Sequence, residues 1–272
     1  MSVDREPAPG VTLVRADNPG PKTLEGTNSW IVAVDGRAWV VDPGPDLDEH
    51  LEALASAVAE RGGLAGIALT HRHGDHADGV AGLLRRSGPA PVLSHAGWLP
   101  PDAPAGTTGV TVADGETHGP FRVLATPGHA SDHVVFLHGS TGFVGDTVLG
   151  RGSVLLVPHE GALIGYLQAL RRLQAERLGW LLPGHGPVIE DPQAKLDEYI
   201  AHRLERERRL VEALDGGARS VDALLDAVWD DAPGILRLAA AVTLQAHLDK
   251  LATEGRLPAD VERQDFGDFD GL

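Results

Sequence analysis

The stretch GIALTHRHGDHADGVAGL, residues 66–83, constrains this chain more than any other. A short apolar run of strand type ends in it, and four metal-competent side chains follow within six positions: His71, His73, Asp75 and His76. The chain then passes into ADGVAGLLRRSG, whose apolar residues have helical spacing. Functional side chains on loops that follow strands are the usual arrangement of layered α/β folds. His71 and His73 alternate across one residue of extended chain, so both can face one point. Asp75 and His76 come half a turn later and can face a second. Each pair is short of a full coordination shell, so the remaining ligands must come from elsewhere in the chain.

The chain has no cysteine, which excludes disulfides and thiolate ligands and leaves His, Asp and Glu to build any zinc-type site. Three candidates sit in turn-like contexts after apolar runs: His129 in LATPGHASDH, Asp146 in FVGDTVLG and His185 in WLLPGHGPV. His129 can complete a three-histidine group with His71 and His73. His185 can join Asp75 and His76, and Asp146 has two carboxylate oxygens with which to bridge. The expectation is a centre for two divalent ions, zinc above all, with manganese or iron also suited to nitrogen and oxygen donors. A hydroxide bridging the metals would be the nucleophile, and Asp75 and Asp146 are read as catalytic as well as ligating. His133, four residues after His129, is a further catalytic candidate, as a hydrogen-bond partner of a ligand or of the substrate, or else a strand-start residue bonded to backbone. His50, His95, His118, His138, His159 and His247 are read as ordinary hydrogen-bonded histidines.

Residues 1–190 read as β-rich α/β. NSWIVAV and RAWVVD, joined by Asp35-Gly36, predict a hairpin. DLDEHLEALASAVAERGG predicts a helix with Asp46 as its cap and Gly62 as its stop. Strands are expected at LAGIALT, APVLS, GVTVA, FRVLATPG, HVVFLHGS, TGFVGD and WLLPGHGP, with a helix in GALIGYLQALRRLQAERL before the last. Residues 191–272 change character. A long charged helix starts at PQAKLDEY, a second is capped by Ser220, a third ends near Gly255, and FGDFDGL reads as a loose tail.

THRHGDHADG, TPGHASDH, GD and PGHGP resemble, in order and context, the metallo-β-lactamase superfamily. The likeness implies an αββα sandwich over about the first 190 residues, with the metals at one edge between two sheets. It also implies that Asp42, in VVDPG, steadies the metal loop. NPGPKTLEGTNSWIV and the run from PGHGP into the long helix are similar to the beta-lactamase-like protein 2 subgroup. That subgroup ends in a winged-helix-like domain, matching residues 220–257, and its animal members are single-strand-specific endoribonucleases. The resemblance suggests Asn28, Tyr166, His202 and Arg203 as substrate-binding residues, although Asn28 reads equally as a turn residue before a strand. Trp98, in a proline-rich loop, is a weaker cleft-lining candidate.

Three functions follow. One is phosphodiester hydrolysis of single-stranded RNA, which would need cations near the metal edge, with HRLERERR (residues 202–209) as their source. The interleaved Glu205 and Glu207 favour reading that run as a solvated helix face. The second is hydrolysis of a small acidic thioester or ester, as in glyoxalase II relatives, which the net charge of −16 suits better. The third is a metal-stabilised scaffold without catalysis. The same charge speaks against stable binding of duplex DNA. No run is long enough to span a membrane and the start lacks an apolar signal core, so the expected location is cytoplasmic. Oligomeric state is left open.

Overall fold

The computed structural model describes residues 3–5, 8, 10–158, 161–232 and 234–266. The chain divides into two compact units. One comprises Met1–Thr126, Asp132–Gly152 and Arg177–Pro192; the other comprises Pro127–Ser131, Ser153–Glu176 and Gln193–Leu272.

The first unit contains two sheets. The larger runs in the order β1 (Val3–Arg5), β2 (Val11–Arg15), β3 (Asn28–Val34), β4 (Arg37–Val41), β5 (Leu64–Ala68), β6 (Pro91–Ser94), β7 (Thr108–Thr111). The expected hairpin is β3–β4, and its turn residues Asp35 and Gly36 both have positive φ, as a two-residue turn matched to strand twist requires. From β4 onward the pairing is parallel, with α1 (Asp48–Ala59) crossing from β4 to β5. Asp46 does not cap α1: the N-cap position is Leu47, with no side-chain cap. After β5 come a one-turn helix α2 (Gly74–Ala77) and then α3 (Gly79–Ser87). The second sheet pairs β8 (Thr117–His118), β9 (Phe121–Ala125), β10 (Val134–His138), β11 (Thr141–Gly145) and β12 (Trp180–Pro183), in the reverse of that order.

Period-two alternation decides the layers. Ile31, Val40, Ile67 and Val92 point one way and pack with Leu51, Leu54 and Val58 of α1 and Val80, Leu83 and Leu84 of α3. Their neighbours Trp30, Val32, Val41, Ala68 and Leu93 point the other way and meet Phe121, Val123, Phe136, Phe143 and Leu182 of the second sheet. Trp98, partly buried, packs against the α1–α3 cluster.

The second unit is helical: α4 (Ala162–Glu176), α5 (Pro192–Asp215), α6 (Val221–Val228) and α7 (Arg237–Thr253). Leu210 and Leu214 of α5, Leu224, Leu225 and Val228 of α6, and Leu244, Leu248 and Leu251 of α7 share one core. Ser220 caps α6, accepting from the Ala223 N–H at 3.3 Å. Gly255, at φ 68°, lies just past the end of α7. No strand occurs among the described residues of 220–262. The expected tail lies outside the described residues from Gly267 on. Among the described residues no helix is long and apolar enough to cross a membrane.

Candidate metal centre

In the first unit the candidate residues follow the ends of strands. Asp42 follows β4, His71 follows β5, Asp146 follows β11 and His185 follows β12. Two backbone hydrogen bonds tie the sheets together at this edge. Val134 N–H donates to the Thr70 carbonyl at 2.8 Å, and Asn28 N–H donates to the Gly184 carbonyl at 2.7 Å. Polar loop ends from both sheets therefore converge on one place.

Asp42 organises that place. It is 1% exposed and sits at φ 51°, a left-handed conformation that costs a non-glycine residue on the order of 1 kcal/mol or more. One carboxylate oxygen accepts from Thr70 N–H at 2.8 Å, and the other accepts from Thr70 Oγ1 at 2.7 Å and lies 2.9 Å from His76 Nδ1. With Nδ1 directed at Asp42, Nε2 is the nitrogen of His76 that can offer a lone pair once its proton is displaced. Thr70 Oγ1 also lies 3.0 Å from His71 Nδ1. Thr70 stands beside the histidine motif, but the sequence offered no signal for a side chain that serves Asp42 and His71 at once.

Within the first unit the inward atoms form two groups. His71, His76 and Asp146 can place one donor atom each within 4.8 Å of one another, and so can Asp75, His76 and His185. His73 Nδ1 lies 3.0 Å from His71 Nε2. Asp146 Oδ1 is 3.5 Å from His76 Nε2, and its Oδ2 is 3.5 Å from His185 Nε2. Asp75 Oδ2 is 3.1 Å from His185 Nε2. His76 Nε2 and His185 Nε2 are buried and neither makes a well-directed hydrogen bond. Buried nitrogens left in that state are costly unless something else occupies their lone pairs. A divalent cation fits this donor set: the nitrogens are turned inward, carboxylates face them, and outer partners fix the tautomers.

Electrostatics agree. Burial pulls the His76 imidazole down, but Asp75, Asp146 and Asp42 outweigh it and hold the group well above its ordinary value. Burial pushes the Asp75 carboxyl up, yet His76, His185 and His73 hold it well below the usual carboxylate range. A site that binds a proton so strongly is built to receive positive charge, and a metal ion would have to displace that proton.

Gly184 permits the approach of β12's end. A Cβ there would lie 2.5 Å from His76 Cε1 and 2.6 Å from Asp146 Oδ1. Asn28 holds the same turn. Its side-chain amide donates to the carbonyls of Pro183 and Gly186 at 3.0 and 2.9 Å, and its Oδ1 accepts from Arg15 Nε at 2.9 Å. The side chain is fully buried and clamps the turn that carries His185. His133 is also buried. Its Nε2 accepts from the Asp146 backbone N–H at 3.1 Å, and its Nδ1 lies 2.9 Å from Thr126 Oγ1. The backbone of Asp146 is thus one of its partners, and its ring stacks on that of His71 with centroids 4.8 Å apart.

Three other candidates, and His129, lie in the second unit. His129 is 6% exposed, and its Nδ1 lies 2.9 Å from the Leu155 carbonyl, which places the ring's lone pair on Nε2. Tyr166 is fully buried beneath Gly128, where a Cβ would come within 2.6 Å of Tyr166 Cβ. Arg203 is 2% exposed, donates to the Val154 carbonyl at 2.5 Å and lies 5.4 Å from the Tyr166 ring centroid. His202 Nε2 accepts from Arg206 Nε at 3.3 Å. Burial and the charges of Arg203 and Arg206 push His202 down to about 4. Tyr166 and Arg203 thus have interior roles where substrate contact was expected.

Most of the remaining histidines have local partners. His50 Nε2 lies 3.0 Å from both Ser29 Oγ and the Pro43 carbonyl, His118 bonds Glu116, and His138 bonds the Pro120 carbonyl. His247 departs from expectation: it is buried against Trp229 with neither ring nitrogen hydrogen-bonded. His159 lies outside the described residues.

Residues 23–185 match the metallo-beta-lactamase superfamily, and residues 220–262 match the beta-lactamase associated winged helix domain. The chain is 32% identical to a beta-lactamase-like protein 2 homolog of Caenorhabditis elegans over 262 residues, 90% of this chain and 85% of that one. It is 33% identical to an atrochrysone carboxyl ACP thioesterase of Aspergillus fumigatus over 273 residues, 96% of this chain and 79% of that one. The crystal structure of a metallo-beta-lactamase family protein from Thermus thermophilus superposes with a TM-score of 0.72 at 25% identity, covering 91% of this chain and 95% of the other. With the superfamily model matching more than half of the chain and the winged-helix model matching its C-terminal part, this chain is a member of the metallo-β-lactamase superfamily, a hydrolase fold carrying a C-terminal winged-helix domain.

Proposed function

We propose that this protein is a dinuclear metal-dependent hydrolase of small thioesters or esters. His71, His73 and His129 would hold one ion, Asp75, His76 and His185 the other, and the Asp146 carboxylate would span both. Two divalent ions so held would supply an activated water as nucleophile and polarise the scissile carbonyl. The chain's own contribution is orientation. Asp42 and Thr70 set the rings of His76 and His71, His133 fixes the backbone of Asp146, and Asn28 clamps the turn bearing His185.

The observation that favours a small substrate over RNA is the fate of the cations in HRLERERR. Arg203 is buried, and Arg206 pairs with Asp231 at 2.8 Å. Arg208 pairs with Glu205 and Glu212, and Arg209 with Asp230. Binding a single strand draws on cations available to its phosphates; in this run Arg203 is buried and Arg206, Arg208 and Arg209 are paired with carboxylates. The net charge of −16 works in the same direction, and the likeness to a thioesterase supports the bond type.

The test is a side-by-side assay of the zinc- or manganese-loaded protein on S-lactoylglutathione and on labelled single-stranded RNA, with Asp146→Ala as background. Thioester cleavage alone is expected. RNA cleavage above the Asp146→Ala background overturns the substrate assignment, and cleavage of neither redirects it to another ester, an amide or a lactone.

A further inference from the structure

Arg203 is an expensive residue. It lies in the interior of the second unit, and among the described residues no carboxylate pairs with it. Its Nε has no hydrogen-bond partner. Removing a guanidinium from water without a counter-charge is costly even after the surroundings relax. Its contacts show what the charge is applied to. The guanidinium donates to the Val154 carbonyl at 2.5 Å, and the next carbonyl along, that of Leu155, accepts from His129 Nδ1 at 2.9 Å. The same guanidinium lies over the Tyr166 ring, 5.4 Å from its centroid. Tyr166 in turn is the floor for the segment of His129. Gly128 has φ 153°, and a Cβ at that position would lie 2.6 Å from Tyr166 Cβ. One position before Tyr166, Gly165 leaves room for the Pro127 carbonyl, 3.4 Å from where its own Cβ would stand. Both supports of His129, the carbonyl that fixes its tautomer and the ring beneath its backbone, are thus braced by one buried cation.

We propose that Arg203 is a positioning residue for His129, holding the Val154–Leu155 peptides and the Tyr166 platform so that the His129 ring presents Nε2 to a metal ion. The inference rests on the reading of His129 as a ligand. A rigid brace is needed here because residues 127–131 lie outside any helix or strand. Ligand affinity is sensitive to such outer partners, whose loss costs about 10- to 100-fold.

The experiment measures stepwise uptake of Zn2+ by the metal-free full-length protein in competition with a chromophoric chelator, with the absorption of the Co2+ form as a report on coordination. Arg203→Met keeps much of the side chain's bulk, and Arg203→Lys keeps the charge but loses the planar fork. Both are expected to weaken one of the two uptake steps, the Met variant by about 10- to 100-fold, and to change the Co2+ spectrum of that step while sparing the other. His129→Ala is expected to abolish the same step, and adding Arg203→Met to it should weaken uptake no further, since the two residues act on one interaction. Wild-type uptake of both ions by folded Arg203→Met and Arg203→Lys overturns the proposal, including where KM alone rises, as a direct substrate contact would give. Further weakening in the His129→Ala background, or failure of both Arg203 variants to fold, also overturns it. Two tightly bound ions in His129→Ala would instead refute the ligand reading itself.

Discussion

The two units treat the same side chain in opposite ways. At the sheet edge of the first, His76 is buried among Asp75, Asp146 and Asp42, and their charge overcomes burial to hold the imidazole far above its ordinary value. In the second, the half-buried His202 and the buried His247 lie near Arg203 and Arg206, so burial and neighbouring charge push together, and His202 falls to about 4. His50 shows that charge, not the unit, decides. It lies in the first unit, but only burial and the Pro43 carbonyl act on it, and it too falls to about 4. A histidine ringed by carboxylates is a receptor for cations; one buried beside arginines stays neutral and serves packing.

Three changes probe that contrast. The largest effect is expected from Asp146→Ala or His71→Ala, which remove a donor from the carboxylate-rich edge. Hydrolysis should fall by on the order of a thousandfold or more, beyond the 10- to 100-fold typical of outer partners, while the far-ultraviolet spectrum is retained. Turnover kept in both variants would detach the cluster from the chemistry. Next is Asp42→Asn, which preserves the shape but removes the charge facing His76 Nδ1 and Thr70. Metal affinity should drop by about 10- to 100-fold in chelator competition, and unchanged affinity would mean that Thr70 and the backbone suffice. The smallest concerns the basic interior. His247 stays neutral in the folded state well below the value of 6.5 at which it titrates in the unfolded chain. The unfolded state therefore binds the proton first, and this contribution to stability is fully present above pH 6.5 and lost as pH falls below it. The slope is at most about 1.4 kcal/mol per pH unit for one histidine. Urea midpoints at pH 7 and pH 4.5 should converge in His247→Gln relative to the unaltered protein; an equal drop in both would show that His247 does not set the acid limit.

Legibility followed locality. The β3–β4 hairpin was readable because Asp35-Gly36 and the alternating residues on either side carry all of its information within a few positions. Ser220 was readable as a cap for the same reason. Asp46 was misread because several polar residues open that helix, and the backbone started it at Leu47 without a side-chain cap. Asn28 looked like a turn residue or a substrate contact. The carbonyls its amide donates to, those of Pro183 and Gly186, lie 155 and 158 positions away, a pairing that only the packing of β3 against the end of β12 creates. Thr70 was passed over although it adjoins His71, because its role exists only once Asp42 arrives from the preceding strand.

By itself the sequence determined the layered β-rich fold, the donor types open to a metal and the strand ends that carry them, since apolar periodicity and residue chemistry are properties of short segments. Tertiary structure alone decided which donors face one another, which nitrogen of each imidazole is turned inward, and that Tyr166 and Arg203 are buried. Those are matters of burial and of contacts between distant segments, and both come into being only when the sheets close on each other and the helices pack.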